Sequence, residues 1–210
     1  MAFLIVNESD VIKEGASEYA NVSGLYDVNI KAVEIKGTSG GATQANYLMD
    51  KAMSYGNTVI NKQGKPIFGF RIMEALAVII GESELSDPEA TEVKFKNSTK
   101  DLMCIPELTD VDVKVWLQFE YSLWEGTVQE NVRVKRFYRA SDGASGKEIL
   151  EGTEAGKQLE KDTAYHDTVK YDDGLDAEQI AEWKKAEAEG RKAKPAETTS
   201  SAGAAAAFPS

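Results

Sequence analysis

The sequence predicts a mainly β fold: a small antiparallel barrel with a long β-hairpin, one short buried helix and a disordered acidic C-terminal tail. Three observations predict it. Val111–Trp124 alternates apolar and polar residues without a break, the signature of a long half-buried strand. Residues 131–139 follow across a Glu125-Gly126-Thr127 turn and read as the second arm of a hairpin. After Ala140 the apolar periodicity ends, and Gly, Glu, Lys, Asp and Ser dominate as far as Gly174.

Residues 1–22 are weakly patterned. From Gly24 onward, Tyr26, Val28, Ile30 and Ala32 alternate with Asp27, Asn29 and Lys31; then the phase flips, and Val33 and Ile35 are the apolar residues. A flip within one strand indicates a bulge or bend, and a long bent first strand suits a small barrel. Residues 37–42 are a Gly-rich flexible connection. Thr43–Met49 reads as a second strand with Ala45, Tyr47 and Met49 on one side. Residues 58–60 and 67–70 read as two strand pieces, joined by the turn Asn61-Lys62-Gln63-Gly64-Lys65-Pro66. Residues 71–80 are apolar nearly all round and end at Gly81, which reads as a short buried helix, with a buried strand as the alternative. Residues 82–89 form an acidic loop, and 91–95 a short strand. Asp176 and Gln179 have capping-box spacing for a short helix over 177–189. Residues 196–210 are low-complexity text ending in Phe208-Pro209-Ser210, too poor in apolar residues to build a packed core. The chain thus divides into a folded domain, 1–140, and an acidic flexible tail, 141–210.

Composition excludes several functions. The one cysteine, Cys104, forms no internal disulfide, which fits a reducing compartment. With the one histidine, His166, it is too little for a His/Cys metal site. No apolar run is long enough to span a bilayer, and the N-terminus lacks the pattern of a secretory signal. The expectation is a cytoplasmic protein with no membrane partner. Gly64-Lys65-Pro66 does not have phosphate-loop spacing, and a Ser or Cys nucleophile would need a partner histidine. Asp110 and Asp112 share a strand face and could hold a metal as in a nuclease, but no further acid or histidine pattern joins them. The reading is a protein that is not an enzyme and takes neither a cofactor nor a metal.

The net charge of -11 is unevenly spread. Residues 1–140 hold 15 basic against 20 acidic residues, whereas 141–210 hold 9 against 15. Residues 131–139 contain four basic residues and no acid. If Val132 and Val134 point inward, then Arg133, Lys135, Phe137 and Arg139 point out; a bulge would instead send Phe137 inward and Arg136 and Tyr138 out. On the neighbouring strand Lys114, Trp116 and Trp124 point out. Lys31, Tyr47, Lys62 and Lys65 complete the candidate set. Cations beside exposed rings suit single-stranded DNA, whose phosphates attract Lys and Arg and whose unstacked bases lie on aromatic faces. OB-folds bind oligonucleotides across their second and third strands and adjoining loops, and an OB-like barrel is the form this reading takes. An acidic C-terminus can compete with DNA for a basic groove and offer a docking peptide to other proteins. The competing reading is a structural or interaction module, such as a virion component, that uses the same aromatic hairpin face against protein.

Residues 24–33 (Gly-Leu-Tyr-Asp-Val-Asn-Ile-Lys-Ala-Val), the Gly64-Lys65-Pro66 turn and the run Val132-Arg133-Val134-Lys135-Arg136-Phe137 resemble bacteriophage single-stranded DNA-binding proteins of the OB-fold kind. The likeness spans roughly residues 20–140. It implies sequence-independent binding of replicating or recombining viral DNA in the cytoplasm of the infected host. It also implies a tail that contacts replication or recombination proteins. In such families the tail ends in acids followed by an aromatic, whereas here Glu197 is the last acid and Ala-Ala-Ala-Ala-Phe-Pro-Ser closes the chain.

Overall fold

The structure, a computed structural model, describes residues 19–95 and 98–193. The expected barrel is there. Strand β1 (Gly24–Gly37) is long and bent, and each of its halves pairs with a different strand. Its first half pairs antiparallel with β6 (Val111–Trp124), from Gly24 opposite Leu117 to Ile30 opposite Val111. Its second half pairs with β2 (Thr43–Met49), ending at Gly37 opposite Thr43. The register slips between Ile30 and Ala32, so Lys31 is the extra residue. The phase flip read in the sequence is this bulge: Ile30 and Val33 enter the barrel core, and Ala32 faces a second apolar cluster outside it.

Strand β3 (Met53–Ile60) pairs with β2, and β7 (Thr127–Arg139) pairs with β6 along nearly its whole length. β3 and β7 lie side by side without a backbone ladder. Side chains join them instead. The Ser54 hydroxyl donates to the Val132 carbonyl at 2.7 Å, and the Arg133 guanidinium donates to the Tyr55 carbonyl at 2.5 Å. The strand circuit β1-β2-β3-β7-β6 is therefore OB-like.

Helix α1 (Phe68–Ile80) lies between β3 and β6 in the chain and packs Ile72, Met73, Leu76 and Ile79 into the core. It stops at Gly81, whose φ of 89° is the left-handed cap that glycine adopts without a Cβ penalty. The helix takes in residues 68–70, read from the sequence as strand. Only Pro66 continues the pairing, through one bridge to Ile60. Gly69 lets the helix lie directly on β3: a Cβ there would stand 2.2 Å from the Thr58 carbonyl oxygen.

A hairpin of β4 (Glu89–Phe95) and β5 (Ser98–Cys104) joins β1 through the single pair Glu34–Cys104. It covers Ala32 and Leu48 with Val93 and Cys104. β5 was not foreseen, because Ser98-Thr99-Lys100-Asp101 carries no apolar alternation.

The division into a domain of 1–140 and a flexible tail from 141 needs correction. Residues 141–193 fold onto the hairpin as α2 (Gly146–Glu151), α3 (Lys157–Thr163), β8 (Lys170–Tyr171) and α4 (Ala177–Ala193). β8 runs parallel to β6 at Glu120 and Tyr121. Ile180, Trp183 and Tyr171 cover Phe119 and Tyr121, with the rings of Tyr121 and Tyr171 stacked at 5.9 Å. Few apolar residues suffice because polar ones make specific bonds. Glu148 closes a capping box with Ser145, and Asp173 accepts the Leu123 N–H. The expected helix over 177–189 lies within α4, and its box forms: Gln179 N–H donates to Asp176, and Asp176 N–H to Gln179. The expectation of a flexible acidic tail over 194–210, with its Phe208-Pro209 tip, lies outside the described residues.

Candidate nucleic-acid interface

The extra residue in β7 decides which side chains of the hairpin are available. Trp116 stands opposite Arg136, but Leu117 stands opposite Val134, so Lys135 is bulged. Val134 and Phe137 therefore both face the core, at 3% and 0% exposure. Of the two phasings left open by the sequence, the bulged one holds. Arg136 and Tyr138 then fall on the outer side of the sheet, where the chain's own α3 covers them. The Arg136 guanidinium donates to Asp162 at 2.8 Å, and the Tyr138 hydroxyl to the same carboxylate at 2.5 Å. Burial, reinforced by that carboxylate, pushes the Tyr138 hydroxyl pKa well up.

Three of the rings proposed as stacking platforms are thus corrected. Phe137 is core, and Tyr138 is buried under α3. Tyr47 lies inside the barrel, edge-on to Phe137 at 5.2 Å. Trp116 is half-buried, and its indole nitrogen is shielded. Trp124, 68% exposed near the hairpin tip, is the one that faces water. Among the cations, Lys31 pairs with Asp110 at 3.0 Å, and Lys114 with Asp27 at 2.5 Å. Arg139 forms a two-pronged pair with Asp142, whose carboxyl this contact holds down at about 2. Asp112 accepts from the Asn29 amide at 2.8 Å. With Asp110 on Lys31 and Asp112 on Asn29, each of the two suspected metal carboxylates has its own protein partner.

What remains gathers elsewhere. A groove of about 320 Å³ runs between β3, the start of α1 and β7. Gly56 and Thr58 form one wall, Arg133 and Lys135 the other, and Phe68 the rim. The Phe68 ring is 62% exposed. Tyr47 lies under the groove, and its buried hydroxyl has no hydrogen-bond partner among the described residues. Arg133 is engaged twice, by the Tyr55 carbonyl and by Glu120 at 3.5 Å. Lys135, Lys62 and Lys65 have no ion-pair partner among the described residues. Lys62 and Lys65 stand exposed in the turn leading into α1, and Tyr55, 49% exposed, flanks Gly56.

The groove therefore joins Arg133 and Lys135 of the expected set; Lys62 and Lys65 lie outside its lining, in the turn before α1, and Lys31, Lys114, Arg136 and Arg139 are left out. Sequence reasoning missed Phe68 and Tyr55. Residues 67–70 read as a strand piece after the turn through Gly64 and Pro66, whereas Phe68 opens α1. Chemically the groove offers Arg133 and Lys135 for an anion, with the Glu120 carboxylate beside them, and the Phe68 ring for an unsaturated ring. Among the described residues, no group of three or more His, Cys, Asp or Glu side chains is placed to hold a metal. Set against protein-family models and curated proteins, the sequence matches none.

Proposed function

We propose that this chain binds single-stranded DNA without sequence preference, along the groove between β3, α1 and β7. The observation that carries this reading is the exposed Phe68 ring at the rim of a groove walled by Lys135 and Arg133. A stacked base needs such a ring, and the phosphates beside it need such cations; a duplex keeps its base faces hidden. An OB-like barrel binds oligonucleotides across its second and third strands and adjoining loops, and β3, the third strand, forms one wall of this groove. Lys62 and Lys65 extend the positive surface beyond the groove, and Tyr55 and Trp124 supply further rings. The net charge of -11 opposes a polyanion at long range, but screening over about 8 Å at physiological salt leaves the local cations to decide contact. The likeness of residues 20–140 to phage single-stranded DNA-binding proteins favours viral replication or recombination intermediates as the strand bound.

Titrating labelled oligo-dT tests the reading. Affinity should fall linearly on logarithmic axes as salt rises, because each neutralised phosphate releases counterions. Single strands should win over duplex. Equal affinity for duplex, or affinity indifferent to salt, would overturn the proposal.

A further inference from the structure

The other flank of α1 borders a second, larger cleft that shares no lining residue with the groove. Its volume is about 1250 Å³, beyond the range of roughly 300–1,000 Å³ usual for a small-molecule pocket. Ile35, Val59 and Ile60 line it on the barrel side, Phe70 on α1, and Ile149 and Leu150 of α2 on the other side. Leu150 is 74% exposed, which leaves a large apolar side chain of α2 in water.

The rim is acidic. Glu74, Glu82, Glu84, Asp87 and Glu151 border the cleft, against Arg71 and Lys147. Lys147 is 3.7 Å from Glu151, which leaves four carboxylates outside any ion pair among the described residues. Such a rim repels phosphates, so nucleic acid does not fit. A second copy would bring the same acids to face these. The chain's own ends do not complement it either. Residues 1–18 carry four acids and one lysine, and residues 194–210 one of each.

We propose that this cleft docks a segment of another protein, apolar on one face and rich in lysine or arginine on its flanks. The apolar face fills the cleft between α1 and α2, and the basic flanks meet Glu82, Glu84 and Asp87. This is the helix-in-groove mode of peptide recognition with charge complementarity at its border. The site is separate from the proposed DNA groove, so the protein can hold a strand and a partner together.

The test uses the full chain and a fluorescein-labelled peptide of leucine and lysine at amphipathic helical spacing, with a scrambled isomer of identical composition. The amphipathic peptide should bind, and Leu150→Glu should weaken it about tenfold or more, a change of about 1.4 kcal/mol, although that substitution adds attractive charge. The triple variant Glu82→Lys, Glu84→Lys, Asp87→Lys should weaken it similarly. Oligo-dT affinity should be the same in Leu150→Glu as in the parent, so failure here and failure of DNA binding are read separately. No binding, equal binding of the scrambled isomer, or indifference to Leu150→Glu would overturn the proposal. Light scattering that found a dimer dissolved by Leu150→Glu would assign the cleft to a second copy and also overturn it.

Discussion

Lys135 is one residue too many in β7, and that single insertion turns Phe137 into the core while leaving its own ammonium at the groove. Lys135→Ala should therefore cost DNA affinity without cost to the fold. The expected signs are a salt slope shallower by about one unit and an unchanged melting temperature. Arg133 differs, because its guanidinium holds the Tyr55 carbonyl across the β3–β7 seam. Arg133→Ala should lower both affinity and stability, the latter by about 1–3 kcal/mol. Phe68→Ala removes an exposed ring. Loss of about 1–3 kcal/mol in oligo-dT binding, with no change in thermal unfolding, is the outcome expected of a stacking residue. An unchanged affinity would remove Phe68 from the site.

At the scale of elements, two junctions depend on single residues. Gly69 lets α1 lie on the Thr58 carbonyl. Gly69→Ala should destabilise by about 3 kcal/mol or more, read by chemical denaturation, since backbone rather than a flexible side chain would have to yield. The capping box of α2 is the second. Burial pushes the Glu148 carboxyl up, but N–H groups of Ser145 and Gln158 and the Ser145 hydroxyl outweigh it and hold the group below its ordinary value. A carboxyl lowered on folding stabilises above its unfolded pKa and loses that contribution as pH falls through the folded value. Melting temperature should therefore drop as pH falls below about 4.5, and Glu148→Gln should melt lower at neutral pH and show a flatter acid limb. Parallel acid limbs for parent and variant would show that the drop arises elsewhere.

The whole molecule is barrel plus cover. Residues 141–193 bury Tyr138 under Asp162 and shield Phe119 and Tyr121 with Ile180 and Trp183. A chain stopped after Ala140 would leave these rings in water. Its melting temperature should fall by roughly 10 °C or more, measured by circular dichroism. A truncated chain that melted like the parent would show the cover to be dispensable.

The sequence by itself determined the long hairpin, a bend in the first strand, a buried apolar element that ends at Gly81 and the box at Asp176. Each of these is written in local pattern: a period of two, a phase flip, a left-handed glycine or a capping pair. Only the tertiary structure decided what becomes of the hairpin's outer face and where the rings go. A bulge of one residue at Lys135 reverses every later side chain, and nothing in the local alternation announces where it falls. Whether Arg136 and Tyr138 meet water or Asp162 depends on a segment more than twenty residues later, whose polar composition hides how specifically it bonds. Phe68 became available for the same reason, because the turn that exposes it is set by how closely Gly69 approaches Thr58, a contact between elements rather than a property of either.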